Sequence, residues 1–131
     1  MSDTLTVTGL IATTPRHIVT AEGLPITSFR LASSQRRYDK ATEKWLDAST
    51  NWYTVTAFRT LAVNSMESLN KGDRIVVVGR LKIRDWQTDD RTGTNVEIEA
   101  ETLGHDLFWC TAVGTRVVAT PAPVAVEAIA E

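Results

Sequence analysis

Scarcity of particular residue types sets the first limits. The chain of 131 residues has one cysteine, two histidines and four prolines. Cys110 therefore has no partner for an internal disulfide, and no Cys and His stand together at metal-ligand spacing. The expectation is a metal-free fold in a reducing compartment, with Cys110 a packed, inert thiol. Apolar runs are short: none reaches the roughly 18 residues that cross a membrane, and the amino terminus MSDTLTVTGL has no basic stretch leading into an apolar one. Neither a membrane span nor secretion is expected, and these absences point to the cytoplasm. Catalytic groupings are missing as well. His17 and His105 lie far apart, no Ser or Cys has an evident base partner, and no Gly-rich phosphate cradle occurs, so neither an enzyme nor a bound cofactor is expected. Asp89-Asp90 reads as a solvated turn in a polar hairpin rather than as a metal site.

What is present is an ordinary soluble composition, 43% apolar and 23% charged, with room for one domain and its core. The formal charge of −2 hides a division along the chain. Residues 1–96 hold 13 Lys and Arg against 10 Asp and Glu, whereas residues 97–131 hold Arg116 against six acids. Charges act over a Debye length of about 10 Å, so local faces matter more than the sum.

Arg74 to Trp86, RIVVVGRLKIRDW, is the most informative stretch. Ile75, Val77, Gly79, Leu81 and Ile83 alternate with an even row that ends in Arg80, Lys82, Arg84 and Trp86. Side chains of a strand point alternately to its two faces, so one face would be buried and the other would offer three cations and an indole. A polyanion carrying flat bases fits that second face, and so does plain solvent over a half-buried strand. Asn51 to Phe58, NWYTVTAF, divides in the same way, with Tyr53, Val55 and Ala57 on one face and Trp52, Thr54, Thr56 and Phe58 on the other. Aromatics alternating with threonines suit a surface on which bases stack. The opposite assignment, with Trp52 and Phe58 in the core and Tyr53 outside, fits the alternation equally.

Taken in order, Thr4–Ile11 is strand one, and Thr13–Pro25 a loop or hairpin. Ile26–Ser33 is strand two, with Thr27, Phe29 and Leu31 sharing one face and Ser28 and Arg30 the other. Gln35–Thr50 follows no clear period and reads as a long exposed excursion. Asn51–Phe58 is strand three. Thr60–Leu69 switches to helical spacing, marked by Leu61, Ala62, Met66 and Leu69, and Lys71-Gly72-Asp73 reads as its stop, with the glycine in a left-handed cap. Strand four is Arg74–Trp86, and Gln87–Gly93 a polar hairpin loop. In strand five, Thr94–Thr102, Val96, Ile98 and Ala100 face inward and Asn95, Glu97, Glu99 and Glu101 outward. Those acids are expected to lie away from any nucleic-acid path. Residues 105–117 read as a short packed turn or helix, and Ala119 onward as a flexible tail.

Three strands, a helix and two strands make the order of an all-β, five-stranded OB-fold, a Greek-key barrel with one short helix between strands three and four. The expected domain covers residues 1–112, with 113–131 a flexible carboxyl-terminal segment.

On these residues the chain resembles the bacterial single-stranded DNA-binding protein family. The matching pieces are Val7–Leu10 (VTGL), Phe29–Ala32 (FRLA), Arg37-Tyr38-Asp39, Asn51–Phe58, Leu69–Leu81 (LNKGDRIVVVGRL), Asp85-Trp86, Gly93–Glu97 and Gly104–Trp109. They follow the family's order over residues 4–112. The resemblance implies that Trp52, Phe58 and Trp86 stack on bases. It matches Tyr38 to a further aromatic after strand two, by an alignment that also admits Arg37. Arg30, Arg37, Arg80, Lys82 and Arg84 would then neutralise phosphates. The implied activity is sequence-tolerant coating of single-stranded DNA by a homotetramer, protecting and unfolding strands in replication, recombination and repair.

Two features depart from the family. Arg59 stands where members usually have glycine. The sequence ends at Ala130-Glu131 with neither the long Gly-rich linker nor the acidic tip closing on an apolar dipeptide, so docking of replication and repair proteins through such a tip is not expected. Two other readings use the same scaffold. One is an OB-fold acting on RNA or as a primosomal accessory protein, and the other a protein-interaction module whose aromatics face a protein surface.

Overall fold

The computed structural model describes residues 1–117, less the side chains of Arg37, Asp47 and Ala48. Its elements are β1 (Thr4–Ile11), β2 (Arg16–Val19), β3 (Pro25–Asp39), β4 (Lys44–Phe58), α1 (Arg59–Ser68), β5 (Arg74–Gln87) and β6 (Thr92–His105). β1 pairs antiparallel with both β3 and β5, β3 pairs with β4, and β5 pairs with β6. A short parallel pairing of β4 with β6 closes these five strands into a ring. This is the OB-fold connectivity, with β2 added along β3 as the first arm of a hairpin.

Alternation decides which residues fill the ring. Thr27, Phe29 and Leu31 of β3, Val55 and Ala57 of β4, Ile75 and Val77 of β5 and Ile98 of β6 are buried, and Tyr53 packs against them from a half-buried position. Each large aliphatic or aromatic side chain so placed contributes roughly 1.5–3 kcal/mol. Burial of Val55 and Ala57 settles the ambiguous strand: Trp52 and Phe58 lie on the outer face. Gly79 lets β5 and β6 meet, since a Cβ there would fall 2.3 Å from the Glu99 carbonyl oxygen.

The helix differs from expectation in its buried side and in its stop. Ala62, Ser65 and Leu69 are buried, while Met66 is exposed. Small residues let the helix backbone approach β3, where the buried Thr27 hydroxyl donates to the Ala62 carbonyl at 2.7 Å. The helix ends at an extended Leu69, whose N–H donates to the Ser65 carbonyl. Gly72, at φ 96, serves instead the turn into β5, where its N–H donates to the Ile11 carbonyl at 2.8 Å.

The expected excursion over Gln35–Thr50 is the far half of the β3–β4 hairpin. Its ladder runs on to Asp39 opposite Lys44, with a register shift that leaves residue 48 unpaired as a bulge. This arm projects beyond the core, so no buried face imposes an apolar period on it. β5 and β6 form a second arm, paired out to Gln87 and Thr92, on which Ile83 is exposed. The expected packed turn after β6 is also revised: Leu107, Phe108, Trp109 and Cys110 are all exposed, so Cys110 is not a buried thiol. That turn is held by the Arg74 guanidinium, 4.2 Å from the Trp109 ring centroid, and by the Asp106 N–H donating to the Arg74 carbonyl. The tail expected from Ala119 lies outside the described residues.

Arg59 adopts φ 61, a left-handed conformation that costs a side-chain-bearing residue roughly 1–2 kcal/mol. A backbone constraint thus explains why glycine suits this place between β4 and α1. Chemical denaturation should find Arg59→Gly more stable than Arg59→Ala by about 1 kcal/mol. Equal stability, or a more stable alanine variant, would contradict the conformational account.

Candidate nucleic-acid interface

The outer surface of β4 carries Trp52, Thr54, Thr56 and Phe58 because their neighbours Val55 and Ala57 point into the ring. Beside it on β3, Arg30 stands opposite Thr54 and donates from Nη1 to its Oγ1 at 2.9 Å. The same guanidinium lies 5.6 Å from the centroid of the Trp52 ring, whose residue is 49% exposed. A cation held beside an open indole is suited to meet a phosphate while the ring stacks on the adjoining base.

Along the β3–β4 arm the bulge at residue 48 changes which alternate residues face outward. Ala32 stands opposite Trp52 and Tyr38 opposite Trp45, so Tyr38 and Trp45 continue the face that bears Trp52. Their rings meet edge to face at 5.4 Å, and both residues are exposed. Trp45 was not a candidate from the sequence, because counting by two from Trp52 puts it on the opposite face and no residue type marks the bulge. The backbone of Arg37 pairs with Leu46, and its side chain lies outside the described residues.

On the second arm Trp86 stands opposite Gly93, and a Cβ at residue 93 would fall 2.3 Å from the indole Cζ2. The indole therefore rests over the glycine backbone, partly exposed. Arg80, Lys82 and Arg84 occupy the same outward row, and each is ion-paired. Arg80 Nη2 and Lys82 Nζ lie 3.2 and 3.1 Å from the two Glu99 carboxylate oxygens, Arg80 Nε 3.6 Å from Glu101, and Arg84 Nε 3.2 Å from Glu97. The acids expected to lie away from a nucleic-acid path thus sit among the cations. Register is the reason: Glu99 stands directly opposite Arg80 and Glu97 opposite Lys82, and directly opposed residues of neighbouring strands share a face. The hydrogen bond from Lys82 holds the Glu99 carboxyl below the usual carboxylate range. Partial burial opposes it, and the Lys82 and Arg80 charges reinforce it.

β6 lies between β4 and β5, so its carboxylates form a stripe between the aromatic row and the cations. Thr56, Phe58, Lys82, Arg84, Glu97 and Glu99 line one shallow depression of about 130 Å³. The structure thereby brings Phe58 to Lys82 and Arg84, Trp52 to Arg30, and Tyr38 to Trp45, with Trp86 standing on the other arm.

The profile of the Single-strand binding protein family matches residues 3–106. The chain belongs to that family. Among its relatives, Single-stranded DNA-binding protein 2 of Tropheryma whipplei is 51% identical over 112 residues, covering 86% of this chain and 74% of the relative. Single-stranded DNA-binding protein 1 of Streptomyces coelicolor is 42% identical over 114 residues, covering 87% and 72% of the two chains. In three dimensions, the small single-stranded DNA-binding protein from Streptomyces coelicolor superposes with a TM-score of 0.76 at 41% identity, over 82% of this chain and 97% of that one. The second such protein (SSBb) of Mycobacterium smegmatis gives 0.68 at 29% identity, over 88% and 100%.

Within this family member, two local properties are open to direct measurement. Gly93→Val should push the Trp86 indole off its strand and shift the fluorescence emission. That shift should vanish in a Trp86→Phe background, and its persistence there would locate the disturbance elsewhere. For Glu99, the depressed carboxyl contributes stability that is present above its ordinary value of 4.5 and lost as pH falls through its lower folded value. Acid titration of stability should therefore show a shallower low-pH decline in Glu99→Gln than in wild type, and parallel declines would refute the assignment.

Proposed function

We propose that the protein binds single-stranded DNA without reading sequence, coating strands to protect them and remove their secondary structure during replication, recombination and repair. The observation that carries this reading is the outer face of β4, which bears Trp52 beside Arg30 at one end and, beyond Thr54 and Thr56, Phe58 in a depression shared with Lys82 and Arg84. Every base has a π-face, so stacking at roughly 1–3 kcal/mol per base tolerates any sequence. Phosphate contacts position the strand and release its counterions. Trp52, Phe58, Trp86 and Tyr38 are the stacking groups, joined by Trp45 through its contact with Tyr38. Arg30, Arg37, Arg80, Lys82 and Arg84 are the phosphate groups. The names borne by the relatives in Tropheryma and Streptomyces support the same ligand.

The protein acts without catalysis, in the cytoplasm and against the nucleoid, and assembles as a homotetramer, which lengthens the path available to a strand. Among the described residues no helix is long and apolar enough to cross a membrane.

Titrating the intrinsic tryptophan fluorescence with poly(dT), poly(dA) and duplex DNA tests the reading. Strong quenching by the single strands alone, weakening as salt rises, is the expected result. Absence of quenching by all three would contradict it and favour a protein-facing surface, while tighter binding of poly(U) than of poly(dT) would favour RNA. Trp86→Ala should weaken oligo(dT) binding by roughly tenfold, the loss of one stack. Unchanged affinity would remove Trp86 from the interface.

A further inference from the structure

We propose that Glu97 and Glu99 set the affinity and salt dependence of strand binding, by holding Lys82, Arg84 and Arg80 in ion pairs that phosphates must displace. The inference rests on the single-stranded DNA reading above and concerns what that face costs to use.

The geometry is that of a competitor built into the binding surface. Arg84 is held by Glu97 at 3.2 Å, and Glu99 takes Lys82 at 3.1 Å and Arg80 at 3.2 Å, Arg80 being shared with Glu101 at 3.6 Å. The carboxylates lie lower than the cations: the side chains of Glu97 and Glu99 are 24% and 27% exposed, against 44%, 50% and 66% for Arg80, Lys82 and Arg84. A strand can therefore reach the cations, but each one it reaches already has an anion. The stripe also lies across the route, since a strand passing from Phe58 toward Arg84 crosses β6 between them. On the other side of the aromatic row, among the described residues, the partners of Arg30 are Thr54 and Trp52, neither of them charged. Arg30 thus meets a phosphate without an exchange, whereas Arg80, Lys82 and Arg84 trade a carboxylate for one.

Two consequences follow for binding. The exchange returns only part of the Coulombic gain of a bare cation. The released carboxylate also remains beside the phosphate and retains a counterion, which offsets part of the counterion release that gives binding its salt dependence. Exposed ion pairs contribute little to stability, so their removal leaves the fold intact.

The test compares oligo(dT) binding across a salt series by wild type, Glu97→Gln/Glu99→Gln, and Glu22→Gln/Glu67→Gln. The last removes the same charge from the β2–β3 turn and from α1, away from the network. Thermal melts accompany each protein. The Glu97/Glu99 variant should bind about tenfold more tightly than the Glu22/Glu67 control at low salt. Its plot of log affinity against log salt should steepen by about 0.7 for each of Lys82 and Arg84, Arg80 keeping Glu101 at 3.6 Å. If this variant fails to fold, Glu97→Gln alone, which releases Arg84, should show a steepening of about 0.7. Affinity and slope equal to the control, or weaker binding by a folded variant, would overturn the proposal while leaving wild-type binding as evidence for the functional reading. Binding by none of the proteins would remove both.

Discussion

Three parallel pairings, Thr54 with Glu97, Val55 with Ile98 and Thr56 with Glu99, hold the arrangement together. Val55 and Ile98 are fully buried, so the seam is secured more by apolar burial of roughly 1.5–3 kcal/mol per side chain than by its short hydrogen-bond ladder. Because side chains alternate, driving that central pair inward drives the flanking pairs outward. Thr54 and Thr56 then lie in the outward row between Trp52 and Phe58, and Glu97 and Glu99 lie beside them. The next strand out, β5, brings Arg80, Lys82 and Arg84 onto the same surface. One closure therefore determines both the ring and the order of chemistry across its outer face: cation on β3, aromatics on β4, acids on β6 and cations on β5.

Much of this could be read in the sequence wherever a strand has one buried side. Thr27, Phe29 and Leu31, then Val55 and Ala57, then Ile75 and Val77 betray their faces by period alone, and Trp52 and Phe58 follow as the opposite row. The apolar alternation fades where the chain leaves the core. Among the described side chains the β3–β4 arm buries almost nothing beyond Ser33, so its pairing leaves no apolar mark, and the bulge at residue 48 reverses the parity that would have revealed Trp45. Arg59 was legible as a departure from the family's glycine, but its positive φ is a property of the bend between β4 and α1.

The charges illustrate a different limit. Glu97, Glu99 and Glu101 alternate as plainly as Arg80, Lys82 and Arg84, and each row is visible in its own stretch. That the rows interlock depends on which strands are neighbours and in what register, which neither stretch contains. An acidic row read in isolation looks like a solvated edge. Placed beside β5, it becomes the partner of Arg80, Lys82 and Arg84.

The most direct test of the central claim, that the face shared by β3, β4, β6 and β5 is the strand's path, is photo-crosslinking to an oligonucleotide carrying 5-iodouracil, with the adducts mapped by mass spectrometry. The exposed Phe108 and Trp109, in the turn beyond β6, provide an internal rival. Adducts at Trp52, Phe58 and Trp86, without adducts at Phe108 or Trp109, are the predicted result. Adducts confined to Phe108 and Trp109 would place the strand on another surface and contradict the account.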